Sequence, residues 1–227
     1  ENKGIAGSMH ISNAKKNLKA VSAIVATTIP VAVGNSYGNS LNKNKKLTIS
    51  FFGDGATEEG VFFESINFAS LKKLPIIFIC LNNKIAVDVD IKKRQSYSIS
   101  QISRSCNIKT FDINSFEIDK VCNIYIEALK YHQKTKKPVF INANYYRYLQ
   151  HIGINTDFDN SGSSFERQNY RKTKDHKNFM IKNDPYDLIR KKMIKIKGEN
   201  YVKNYEINKI KNLERILKQT LNDKYLG

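Results

Sequence analysis

Residues 50–84 read SFFGDGATEEGVFFESINFASLKKLPIIFICLNNK, and two polar clusters within them decide the fold. Gly53-Asp54-Gly55 closes an apolar run that begins at Leu47, and Asn82-Asn83 closes a second that begins at Ile76. Each run is short and continuous, the pattern of a strand buried on both faces. Between them, Glu58 to Lys72 reads as one helix, with Phe62, Ile66, Ala69 and Lys73 along one face. Glu58 and Glu59 fall in its first turn, where acidic groups complement the positive end of the helix dipole. A strand, a helix and a second strand make a right-handed crossover, which sets two parallel strands side by side. Both polar clusters then lie at the carboxyl ends of the strands, where open α/β sheets bind ligands.

The pattern continues on both sides. Residues 18–38 are mostly small and apolar, suited to a closely packed helix with a kink at Pro30 and a close approach at Gly34. A weaker strand is expected at 108–113, an amphipathic helix at 116–134 and another strand at 138–142. Alternation of this kind implies an α/β fold, a parallel sheet with helices on both faces. Residues 153–178 are polar and without period, the texture of a long surface loop. Asp184-Pro185 reads as a helix start, Asp as N-cap and Pro in the first turn. Helices expected at 185–197 and 203–223 form a C-terminal helical extension. The texture therefore divides the chain into an α/β domain, 1–150, and a loop with helices, 151–227, packed on the same domain.

Composition narrows the function. The chain has 227 residues, 41% of them hydrophobic, enough for a real core. No apolar run approaches the ~18 residues of a membrane span. The formal net charge is +17, which raises the possibility of nucleic-acid binding. The charge is spread along the chain, however, with 17 Lys/Arg against 8 Asp/Glu in residues 166–227, and this argues for a solvated basic surface. Cys80, Cys106 and Cys122 have no metal-ligand spacing and read as buried free thiols of a reducing compartment. His132 and His176 read as surface residues. The expected location is the cytoplasm, or an organellar matrix if a targeting segment precedes Glu1.

The two clusters also suggest a chemistry. Glycine-Asp-Gly alone is a common turn; strand, GDGA, helix, strand and NN together are more specific. Asp54 offers a carboxylate between glycines that let the backbone approach a bulky anion. With the Asn83 amide oxygen and a backbone carbonyl it forms a hard-oxygen donor set of the kind Mg²⁺ takes, leaving positions for phosphate.

GDG followed about thirty residues later by NN resembles the thiamine diphosphate motif. More narrowly, the chain resembles the alpha subunit of the decarboxylating first component of 2-oxo acid dehydrogenases, including acetoin dehydrogenase relatives. GIAGSMH (4–10), AIVATTIPVAVG (23–34), FESINFASLKKLPIIFICLNN (63–83) and YRYLQH (146–151) resemble that family's stretches, in its order. The resemblance implies the thiamine diphosphate-binding fold, with Asp54, Asn83 and the carbonyl of Ile85 as Mg²⁺ ligands. It implies Gly53, Gly55 and Ala56 near the diphosphate, with backbone groups of Ala23 and Val25 against the aminopyrimidine. Arg147 and His151 match basic residues lining the diphosphate and reaction centre, the latter in a reaction loop, and His10 matches a pocket-side histidine. It further implies a beta subunit that supplies the activating glutamate in an α2β2 heterotetramer, and a lipoyl-bearing acyltransferase as acceptor. Glu58, Glu59 and Glu64 are therefore not assigned that glutamate's role.

Three features depart from the family pattern. The family has a region before G-x-GSMH that the residues from Glu1 onward do not include, so a truncated or split product, or a preceding polypeptide that completes the site, is expected. Leu81 stands where Glu or Arg is usual before the asparagines. Gln-His-Ile-Gly replaces the GHS of the reaction loop, which leaves out its regulatory serine. These departures keep open a truncated, non-catalytic partner of such an enzyme, beside the basic nucleic-acid-binding module that the charge suggests.

Overall fold

The computed structural model describes residues 9–43, 46–87, 89–147, 151, 178 and 182–222. These separate into two compact units, one spanning Ile24–Lys182 and the other made of Glu1–Ala23 with Asn183–Gly227. In the larger unit the chain runs α1 (Thr28–Leu41), β1 (Thr48–Gly53), a 3₁₀ turn (Asp54–Glu58), α2 (Gly60–Leu71) and β2 (Ile76–Asn82). A small hairpin follows, β3 (Ile85–Ala86) with β4 (Val89–Asp90), then α3 (Ile99–Ser105), β5 (Lys109–Ile113), α4 (Ile118–Thr135) and β6 (Val139–Asn144). The four long strands form one parallel sheet in the order β1-β2-β6-β5.

Helices cover both faces, as the alternation predicts. Phe52, Phe78, Cys80 and Phe140 point to one side and pack with Ile29 and Val33 of α1, Phe62, Ile66 and Ala69 of α2 and Ile99 of α3. Four of these are aromatic, and Phe62 sits centrally, its ring centroid 5.9 Å from Phe52 and 6.2 Å from Phe140. Ile77, Ile79, Ile113, Val139 and Ile141 point to the other side and pack with Ala128, Val121 and Tyr125 of α4. β2 is thus buried on both faces.

β1 differs from expectation: it is an edge strand, and its outward face is open, with Ile49 49% and Phe51 57% exposed. The reason is coverage, because α4 packs over β5 and β6 rather than β1. The expected helix over 18–38 begins only at Thr28, so Pro30 lies in its first turn, where its missing N–H costs nothing, and makes no kink. Gly34 is exposed, and a Cβ there would have no neighbour within 4 Å, so no close approach demands glycine. α2 begins two residues later than expected; Glu58 belongs to the 3₁₀ turn and serves an ion pair instead of the helix dipole. Lys73 leaves the helix in a left-handed turn.

His132 is buried, 6% exposed, and its Nδ1–H donates to the Lys137 carbonyl at 2.8 Å, so it holds the turn that follows α4 and is not a surface residue. Only Cys80 is a fully buried thiol; Cys106 is half-buried and Cys122 lies exposed on the outer side of α4. His176 and the expected loop at 153–178 lie outside the described residues apart from Asn178.

The second unit contains α5 (Pro185–Lys197) and α6 (Glu199–Leu221). Asp184 caps α5 by accepting from the Tyr186 N–H at 2.8 Å, as the Asp-Pro pair predicts. The helices meet at Gly198, whose φ of 86° requires glycine, and α6 starts four residues before the expected 203. Arg190 and Glu206 join them at 2.8 Å, with the Tyr186 hydroxyl also donating to Glu206. No helix among the described residues is long and apolar enough to cross a membrane.

The aromatic centre and the open face of β1 should respond differently to truncation. Phe62→Ala is expected to cost about 3–5 kcal/mol, as large-to-small core changes do. Phe51→Ser should stay within about 0.5 kcal/mol of the parent, the range of surface substitutions. Urea midpoints of the two variants check this.

Candidate functional site

The parallel register pairs Gly53 with Leu81, and Leu81 and Asn82 with Ala143 and Asn144. Three strands therefore end along one edge of the sheet, and the residues leaving them are Asp54, Asn83 and Tyr145. The βαβ reading of residues 50–84 is correct in this respect.

Asp54 follows β1 into the 3₁₀ turn and is buried, 3% exposed. An isolated carboxylate there would be heavily penalised, so it needs a partner. That partner is Arg94, whose Nη2 donates to Asp54 Oδ2 at 2.6 Å. The other two nitrogens of Arg94 are engaged as well: Nη1 pairs with Glu58 Oε1 and Nε donates to the Val89 carbonyl at 3.0 Å. Gln95 and Tyr97 complete the hold on the turn. The Gln95 amide donates to Thr57 Oγ1 and Glu58 Oε1, and the Tyr97 hydroxyl to the Thr57 carbonyl at 2.7 Å. Burial pushes the Tyr97 phenol up, which keeps it a donor. Cys80 lies beneath; burial above all, with the Asp54 charge adding to it, pushes its thiol well up, so it stays protonated and unreactive.

The second strand end is shaped by its two asparagines. Asn83 Oδ1 accepts from the Ile85 N–H at 2.8 Å and its amide donates to the Tyr145 hydroxyl at 3.2 Å. Asn82 Oδ1 accepts from Lys84 N–H, and the Asn82 carbonyl from Tyr145 N–H. Side chain-to-backbone bonds of this type are what Asn offers at a turn. The asparagines launch the β3–β4 hairpin, which folds back on the Asp54 turn. A Cβ at Gly55 would lie 3.0 Å from Ala86 Cβ, so any larger residue there would have to push the hairpin back by a few tenths of an ångström. Gly53, by contrast, has open space where a Cβ would point.

Arg147 and His151 come together, with Arg147 Nη1 at 3.4 Å from His151 Nδ1. Arg147 Nη2 also donates to the Val87 carbonyl at 2.9 Å, which ties the end of β6 to the hairpin tip. Val87 has φ 52°, the left-handed region, where a β-branched residue is strained. Val25 is exposed and precedes Ala26, itself at φ 63°. His10 and Ala23 are exposed and belong to the other compact unit.

The donor types suit Mg²⁺: one carboxylate, one amide oxygen and the Ile85 carbonyl, all hard oxygens. Among the described residues no cluster of three or more His, Cys, Asp or Glu is arranged for a metal, so such a site leans on carbonyl and ligand oxygens. What the residue pattern alone misses is that Asp54 already faces a cation. Arg94, Gln95, Tyr97 and Tyr145 are not legible as site residues in the sequence, since one arginine among 38 Lys/Arg carries no signal without its contact.

A buried polar chain supports the same edge from behind. The Asn82 amide donates to Asn142 Oδ1 at 3.2 Å, and the Asn142 amide to Ser100 Oγ at 3.0 Å and Asp112 Oδ1 at 3.1 Å. Ser100 also donates to Asp112, and Arg104 reaches its second oxygen at 2.5 Å. Burial alone pushes the Asp112 carboxyl up, but the bonds from Ser100, Asn142 and Arg104 outweigh it and hold it below the ordinary carboxylate value.

A family model described as "Dehydrogenase E1 component" matches residues 1–223. The pyruvate dehydrogenase E1 component subunit alpha of Rhizobium meliloti is 29% identical over 66% of this chain and 43% of its own length. The mitochondrial 2-oxoisovalerate dehydrogenase subunit alpha of Dictyostelium discoideum is 36% identical over 63% of this chain and 33% of its own. A testis-specific pyruvate dehydrogenase E1 alpha subunit of Rattus norvegicus is 30% identical over 85% of this chain and 46% of its own. The chain thus spans between a third and a half of the curated relatives it matches.

Asp112 gives the polar chain a pH signature. Its folded pKa lies below the unfolded value of about 3.9, so the unfolded state binds more protons and stability rises with pH. The contribution is complete well above that value and is lost as pH falls through the folded pKa. Asp112→Asn should therefore be less stable than the parent at pH 6, with the gap narrowing toward pH 3 in urea unfolding curves.

Proposed function

Because the chain belongs to the dehydrogenase E1 component family, we propose that it acts as the alpha-type subunit of a thiamine diphosphate-dependent 2-oxo acid or acetoin dehydrogenase. The observation that carries this reading is the register of β1 on β2, which brings the residues following Gly53 and Leu81 to one edge. In this reading Asp54, Asn83 and the Ile85 carbonyl hold Mg²⁺, and phosphate oxygens take its other positions. Gly53, Gly55 and Ala56 bring backbone to the diphosphate, for which the open side of Gly53 leaves room. Ala23 and Val25 offer backbone groups to the aminopyrimidine. When bound, thiamine diphosphate supplies the electron sink for cleavage beside a 2-oxo group.

The chain's own part is to bind, neutralise and orient. Arg147 adds positive charge toward the diphosphate, and its contact with Val87 orders the hairpin carrying Ile85. His151 and His10 are assigned to hold or move a proton at the oxygen of the reacting carbonyl. A beta subunit contributes the activating glutamate in an α2β2 assembly, and a lipoyl-bearing acyltransferase takes the acyl group.

A second reading, a non-catalytic structural or regulatory partner of such an enzyme, draws on one observation: the Asp54 carboxylate already has its cation in Arg94. Titration calorimetry with thiamine diphosphate and Mg²⁺, in the presence of the beta subunit, separates the two. The proposed function expects binding, decarboxylation of a 2-oxo acid with an artificial electron acceptor, and a loss on the order of 100-fold in cofactor affinity in Asp54→Ala. Unchanged binding in that variant rules out the metal assignment; assembly with the beta subunit but no cofactor binding favours the second reading.

A further inference from the structure

We propose that Arg94 is a resident counter-ion of Asp54 that a divalent cation must displace, with Glu58 retaining the arginine when it lets go. The inference rests on the reading of Asp54 as a metal ligand and goes beyond it, to how this chain regulates access of the cation. Arg94 is nearly buried, with 10% of its side chain exposed, and it bridges Asp54 and Glu58 through separate nitrogens of one fork. The carboxylate it faces is 4% exposed. A guanidinium 2.6 Å from Asp54 Oδ2 and a divalent ion on the same carboxylate repel each other at short range, where screening by water is weak.

The two sides of the fork are not equivalent. Glu58 lies nearer solvent, its side chain 29% exposed, and is one turn removed from Asp54. Withdrawal from Asp54 therefore leaves the cation of Arg94 paired with Glu58. Val89 and Gln95 keep the segment in place through the Arg94 Nε and the Gln95 amide. Before the metal arrives, the same pairing removes the cost of burying Asp54 alone. The result is a competition: one carboxylate, two alternative cations, and a second acceptor that sets the balance.

The test is Mn²⁺ binding to the chain without cofactor, followed by electron paramagnetic resonance. Arg94→Gln removes the competitor and is expected to tighten Mn²⁺ binding by about tenfold or more, and Asp54→Asn to abolish it. Glu58→Gln removes the alternative counter-charge, biases Arg94 toward Asp54 and is expected to weaken binding by roughly threefold or more. Opposite signs in the two variants are the signature, since a merely structural role would shift both the same way. Should Arg94→Gln fail to fold, Glu58→Gln decides alone. Equal or tighter binding in Glu58→Gln, or no gain in a folded Arg94→Gln, overturns the competition and leaves the functional reading standing. Absence of any Asp54-dependent Mn²⁺ binding, in parent and Arg94→Gln alike, overturns the competition, and the functional reading is then decided by the cofactor calorimetry alone.

Discussion

A carboxylate buried at the end of a strand must be neutralised, and much of the local architecture follows from meeting that need at Asp54. The βαβ unit delivers the carboxylate to the sheet edge, and β2 delivers an asparagine pair beside it. The hairpin launched by those asparagines then returns Arg94 to Asp54. Removing any one part leaves another without a partner: the carboxylate without its cation, or the hairpin without the turn it packs against. Cys80 beneath Asp54 adds no chemistry of its own, because burial keeps its thiol protonated.

Much of the sheet is readable from residues alone, because hydrophobic runs and their breakers are local signals. Ile76–Asn82, Pro185–Lys197 and the strands near 109 and 139 follow the expected positions closely. What is not readable depends on long-range placement. β1 carries the same apolar run whether or not a helix lies over its second face, so its exposure on Ile49 and Phe51 has no sequence signature. Pro30 looks like a kink until the helix start is known. His132 gives no hint that its ring bends back to the Lys137 carbonyl.

The same distinction holds within the site. Asp54 and Asn83 announce themselves by breaking strands, and Arg147 and His151 only by the resemblance of residues 146–151 to a family stretch. Arg94 announces nothing, since its importance lies in a contact 40 residues back in the chain. The hairpin is also poorly signalled, as Val87 occupies a backbone conformation that valine disfavours. Arg147 bonds to the carbonyl of that residue. Strain is maintained there by a charged side chain from beyond a different strand, so the tip of the hairpin and the end of β6 adjust as one piece.

The strand order carries a consequence for how the molecule is made. β1 and β2 are joined by a single helix, whereas β2 waits for β6, with Ile77 opposite Val139 and the β3–β4 hairpin, β5 and two other helices in between. Closing a longer loop costs more entropy and slows pairing. During synthesis, therefore, Asp54, Asn83 and Arg94 can assemble on the ribosome before the polypeptide carrying Arg147 has emerged. The Asp54–Arg94 pair is an early, local product of folding, and the bond from Arg147 to the Val87 carbonyl is a late addition that ties the hairpin to the completed sheet.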